Sequence, residues 1–136
     1  MLLMRSIKAI IAGCTFIIVV ILCLQLIFIF VAVGYNELAK DYPFLNDIAW
    51  SFRYIIGIPV FILTMFIGGY ITANIASMKV LLHCLAVGLI TAGGMIYPTL
   101  ENSNLTITGM VVFLMALMAT TAGGFYWKKN NSVSQN

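Results

Sequence analysis

Residues 9–36 read AIIAGCTFIIVVILCLQLIFIFVAVGYN, 28 positions without a charge. A helix needs about 20 apolar residues to cross the hydrocarbon of a bilayer. This run is therefore long enough to span once and too short to span twice. Three more charge-free runs follow, residues 54–78, 80–100 and 102–127. The seven basic and four acidic residues fall beside these runs: Arg5, Lys8, Glu37, Lys40, Asp41, Asp47, Arg53, Lys79, Glu101, Lys128 and Lys129. Helices are predicted near 9–33, 54–76, 80–97 and 106–127. The chain reads as an all-α membrane protein, a four-transmembrane-helix bundle over residues 1–129 with a polar cytoplasmic tail at 130–136.

Composition agrees. The 136 residues are 62% hydrophobic and 8% charged, with a mean hydropathy of +1.08. A soluble domain carries about 25% charged residues, so a water-facing enzyme, a nucleic-acid-binding domain and a disordered chain are excluded. A closed barrel is the other way to satisfy backbone groups in hydrocarbon, but its strands alternate apolar and polar residues. Phe16–Val20 and Leu26–Val33 are apolar throughout.

The basic residues orient the spans. Arg5 and Lys8 precede helix 1, Lys79 lies between helices 2 and 3, and Lys128 and Lys129 follow helix 4. All four acids fall on the other side, with Lys40 and Arg53. The positive-inside rule places the basic side, with both termini, in the cytoplasm. Residues 34–53 and 98–105 then face outward. Pro43 opens a predicted short interfacial helix reaching Arg53, with Leu45, Ile48, Ala49 and Phe52 on one face. Tyr35, Tyr42, Trp50 and Tyr54 stand where outer aromatic belts occur, and Tyr126 and Trp127 form the inner counterpart. Asn104-Leu105-Thr106 matches a glycosylation sequon but abuts the membrane.

Helix 1 is too long for a signal-peptide core of 7–15 residues. Ile11-Ala12-Gly13-Cys14 resembles a lipobox, yet only five residues separate Lys8 from Cys14. Cys14, Cys23 and Cys84 read as small membrane hydrophobes, and no metal-ligand spacing or cofactor motif is present.

Small residues dominate three spans. Gly68 and Gly69 lie on helix 2, where Gly69, Ala73 and Ser77 recur every four positions. Gly88 and Ala92 do so on helix 3, followed by Gly93 and Gly94. Ala116, Thr120 and Gly124 do so on helix 4, with Ala119 and Gly123 on an adjacent line. Missing side-chain bulk lets helix backbones approach in lipid, where packing drives association. Helices 2, 3 and 4 are expected to form the core, with the bulkier helix 1 more exposed to lipid. Thr91-Ala92-Gly93-Gly94 recurs as Thr121-Ala122-Gly123-Gly124, a faint echo of the repeats seen in some transporters.

Polar groups within the spans are few. Coupled transporters keep an ionisable residue there. The small multidrug-resistance family, similar in length and helix number, depends on an acid in its first helix, where this chain offers Gln25. His83 is the single histidine, about one turn inside helix 3. A hydrogen-bond cluster of His83, Asn74, Tyr70 and Thr72 across the 2–3 hairpin is expected, acting as interhelical glue or as a proton-responsive group. Thr64, Thr91 and Thr120 are placed to bond their own backbone four residues earlier, and Pro59 with Gly57 to kink helix 2 near its outer end.

The stretch Gly68-Gly69-Tyr70-Ile71-Thr72-Ala73-Asn74-Ile75-Ala76, followed by His83 and Gly88, resembles a pattern in small bacterial four-helix membrane proteins of unknown function. Gly123-Gly124 and Lys128-Lys129 match their Gly-Gly and basic tail. The resemblance covers residues 68–129. It implies a bacterial inner-membrane protein and supplies no activity. The expected function is that of a non-enzymatic helix-packing or interaction protein: an accessory or assembly subunit, or a homo-oligomer. The alternative is a small oligomeric channel or transporter for a small solute. The expected partners are the lipid bilayer and itself or another membrane protein, without nucleic acid.

Overall fold

The structure is a computed structural model that describes residues 2–42, 44–76, 78–101 and 107–133. It contains four helices: α1 (Leu2–Asp41), α2 (Leu45–Ile75), α3 (Val80–Glu101) and α4 (Ile107–Val133). Each holds a stretch long and apolar enough to cross a membrane: Met4–Leu38, Ile55–Ile75, Val80–Tyr97 and Ile107–Asn131.

Charge-free runs locate the apolar spans but not the ends of the helices. The α1 helix continues through Gly34 to Asp41, well into the expected outer loop. Asn36 to Lys40 contain good helix formers, and Lys40 Nζ sits 2.9 Å from Glu37 Oε1 one turn earlier. Lys40 also lies in the last turn, where a cation complements the exposed carbonyls. Forty residues at 1.5 Å rise give about 60 Å, twice the roughly 30 Å of hydrocarbon. The α2 helix likewise starts at Leu45 and runs unbroken into its apolar span, with Pro59 inside it. The expected division of residues 45–53 into two faces, like the sequon, Pro43 and Ser77, lies outside the described residues or side chains. At the other end α4 continues to Val133, so the first residues of the expected tail are helical. Asn131 Nδ2 donates to the Trp127 carbonyl at 3.1 Å in this final stretch.

The four helices pack in the ring order α1, α2, α4, α3. The most extensive contact joins α2 to α4, and α1 and α4 do not touch among the described residues. Chain direction alternates through the hairpins, so α2 and α4 run parallel while α3 opposes both. The core consists of Ile17, Met65, Val87, Ala92, Ala116 and Ala119, drawn from all four helices. The outer surfaces of the spans are largely apolar: Phe30, Val33, Ile55, Leu82, Ile90 and Met118 are all exposed, the arrangement that a lipid surround favours, with Gln25 and Asn74 among the exposed polar residues.

Candidate functional site

The centre of the bundle is built from residues that lack bulk. Thr120, fully buried on α4, stands between two glycines. A β-carbon on Gly69 of α2 would collide with the Thr120 carbonyl oxygen, and one on Gly88 of α3 with the Thr120 Oγ1. Gly123 faces the Phe66 carbonyl of α2 in the same way, and its β-carbon would also lie 3.0 Å from the Tyr70 nitrogen. Each of the two parallel helices thus sets a glycine on the other's main chain. Backbone in contact with backbone cannot rotate aside as a side chain can, so these positions admit only hydrogen.

The seam between α3 and α4 is a ladder. Gly124 abuts the Cys84 side chain and Gly88 abuts Thr120, while Ala92 and Ala116 are both buried in the shared core one turn further. A step of four residues along one helix is matched by a step of four backwards along the other, as antiparallel packing requires. Among the described residues, two polar links join α3 to α2: Cys84 Sγ donates to the Gly69 carbonyl at 3.3 Å, and Thr91 Oγ1 lies 3.9 Å from Met65 Sδ.

Helix α1 packs more tightly than its bulky sequence predicts. A β-carbon on Gly13 would collide with Thr72 Oγ1 and lie 3.3 Å from the Gly68 carbonyl oxygen. Gly68 in turn accommodates the Ile17 side chain. Ala9, Gly13 and Ile17 form one buried stripe on the N-terminal half of α1. Their spacing of four was legible, but Gly13 also falls within the lipobox-like stretch and the surrounding residues are bulky. The C-terminal half of α1 is exposed at Leu26, Ile27, Ile29 and Phe30, as expected for a lipid-facing segment.

Not every expected packing residue packs. Ala73 is fully buried, whereas Ser77 is outside the described residues. Gly93 and Gly94 meet nothing within 4 Å of an added β-carbon. The two Thr-Ala-Gly-Gly stretches therefore occupy different surroundings: the glycines of α4 are enclosed and those of α3 are open.

The structure does not bring Tyr70, Thr72, Asn74 and His83 together. Helix α2 turns Thr72 towards α1, where its hydroxyl donates to the Gly68 carbonyl at 2.8 Å. Asn74 Oδ1 accepts from Trp127 Nε1 on α4 at 3.2 Å. The Tyr70 ring tilts against Tyr126, with centroids 6.5 Å apart. His83 Nδ1 lies 3.0 Å from the carbonyl of Lys79 in its own turn. That carbonyl also accepts from Leu82 N at 2.9 Å, so it caps the start of α3. Thr72, Asn74 and His83 thus each bond a group outside the expected cluster. The threonines make the back-bonds their positions predict: Thr64 to Val60 at 2.8 Å, Thr91 to Val87 at 2.7 Å and Thr120 to Ala116 at 3.0 Å. Among the described residues, no buried side-chain nitrogen or oxygen lacks a partner, as an apolar surround demands.

This arrangement defines a helical bundle with four candidate membrane spans, assembled on glycine–backbone contacts. Comparisons with protein-family models, curated proteins and solved structures return no match.

Proposed function

We propose that this chain is a polytopic protein of the bacterial inner membrane that works by helix packing, as an accessory or assembly subunit or as a homo-oligomer. In this reading both ends of the chain are cytoplasmic, because Arg5, Lys8, Lys79, Lys128 and Lys129 share one side without an acid. Residues 45–53, the first turns of α2, then stand at the outer bilayer surface as a continuation of the span.

The supporting observation is the open pair Gly93-Gly94. Glycine within a helix costs about 1 kcal/mol relative to alanine; Gly34 and Gly57 stand singly in open space, whereas at Gly13, Gly68, Gly69, Gly88, Gly123 and Gly124 close contact offsets that cost. At Gly93 and Gly94 there is open space instead. Ile90 and Tyr97, one turn to either side, are also exposed. Such a notch on a span suits a second transmembrane helix whose backbone approaches closely.

The experiment is purification in mild detergent with cross-linking and mass measurement, comparing the natural chain with Gly94→Leu. The reading expects an oligomer or a copurifying membrane protein, lost in Gly94→Leu while the chain remains folded. A monomer without a partner contradicts it. Solute flux in liposomes that disappears in His83→Ala, with assembly intact, would instead favour a channel or transporter.

A further inference from the structure

We propose that the α3–α4 face holds an anionic phospholipid, with its headgroup at Lys79 and Lys128 and an acyl chain in the groove beneath them. A shallow open groove runs between the two helices, lined by Leu81 of α3 and by Met118, Thr121, Ala122 and Phe125 of α4. The α4 residues follow steps of three and four, so they form one stripe, and Lys128 continues that stripe beyond Phe125. The antiparallel ladder fixes the other wall. Cys84 faces Gly124 and Gly88 faces Thr120, which brings Val80 level with Lys128 and sets Lys79 beside them. Lys79 and Lys128 are both exposed.

The dimensions fit one leaflet. From Met118 to Lys128 the helix rises about 15 Å, half the roughly 30 Å of hydrocarbon. The α4 wall therefore extends one acyl-chain depth below a cationic mouth, with Leu81 of α3 facing it near the top. The charge is one-sided: Lys129, Arg5 and Lys8 are the remaining cations of this end, His83 is the neighbouring titratable group on α3, and all four acids belong to the opposite end of the spans. Lys79 has a φ of 48°, a left-handed conformation that tightens the turn, and its carbonyl caps α3. The turn thus holds Lys79 at the groove mouth. Trp127, anchored on Asn74, adds an indole at the same level. Basic pockets between helices at a membrane surface select anionic headgroups. The inference rests on the bundle lying in a bilayer, and is independent of what docks on α3 at Gly93 and Gly94.

Native mass spectrometry of the detergent-purified full chain tests it, with phosphatidylglycerol, phosphatidylcholine and free glycerol phosphate as probes. Phosphatidylglycerol is expected to be retained in preference to phosphatidylcholine, and glycerol phosphate not at all. Each lysine is expected to contribute about fivefold to retention, so Lys79→Gln with Lys128→Gln lowers it about twenty-five-fold. Arg5→Gln with Lys8→Gln removes the same charge from α1, which packs against α3 but lines none of the groove, and is expected to lower retention several-fold less than the groove pair does. Ala122→Trp fills the groove from an exposed position and should lower retention without changing the melting temperature in lipid-free detergent. Equal loss in the α1 variant, equal retention of both lipids, or retention of glycerol phosphate alone would overturn the proposal.

Discussion

Gly69 rests on the main-chain carbonyl of Thr120. A β-carbon added to Gly69 would lie 2.8 Å from the Thr120 carbonyl carbon and 2.9 Å from its α-carbon. The obstacle is backbone on a helix that is itself packed against α3, so relief requires moving two interfaces at once. Gly123 repeats the relationship from the other side, against Phe66.

Gly69→Ala and Gly123→Ala should therefore each destabilise the bundle by about 1–3 kcal/mol, the usual cost of overfilling a packed core. In detergent that holds the chain as a monomer, Gly93→Ala should instead be neutral or stabilising by up to about 1 kcal/mol, since alanine is the better helix former and the space is open within one chain. Thermal unfolding in a single detergent checks both. Equal effects at Gly69 and Gly93 would contradict the assignment of the two surfaces.

Gly124 differs in kind, because its neighbour is a side chain. A β-carbon there would collide with Cys84 Sγ. Gly124→Ala should lower stability, and adding Cys84→Ala should recover part of the loss, because the sulfur no longer stands in the way. A double-mutant cycle with a coupling of about 0.5 kcal/mol or more is expected. Strict additivity would show that the two residues do not meet.

Much of the frame was legible in the sequence, because span number depends only on where charges interrupt apolar runs. The glycines of helices 2 and 4 were legible from their spacing of four. The pairing of helices was not, since spacing names a face without naming what it meets. Gly93 and Gly94 have the same local pattern as Gly123 and Gly124, and only the ring order of helices encloses one pair and leaves the other open. Gly13 was hidden for the converse reason: bulky neighbours masked a single close contact. The polar cluster does not form because Thr72 and His83 bond main-chain carbonyls four residues earlier, while Asn74 is engaged by Trp127 of α4, a partner that spacing alone does not name.

Lys79 supplies a prediction of opposite sign. Its left-handed φ costs a residue with a β-carbon about 1–2 kcal/mol. Lys79→Gly should raise the melting temperature in lipid-free detergent. His83→Ala should change stability by less than about 1 kcal/mol, because the Lys79 carbonyl keeps its bond from Leu82 N. A melting temperature lowered by Lys79→Gly would mean that the turn is not held as described.

The central claim is that α2 and α4 cross the membrane side by side in the same direction, glycine against backbone. Cysteine cross-linking in native membranes tests it most directly, with Cys14, Cys23 and Cys84 replaced by alanine. Asn74→Cys paired with Trp127→Cys, sites whose natural side chains meet at 3.2 Å, should be joined within one chain by a short thiol-reactive bifunctional linker, because the two cysteines are shorter than the side chains they replace. Gly57→Cys paired with Trp127→Cys should not, because Gly57 lies at the far end of α2. Cross-linking of the second pair with none of the first would contradict a parallel α2–α4 bundle.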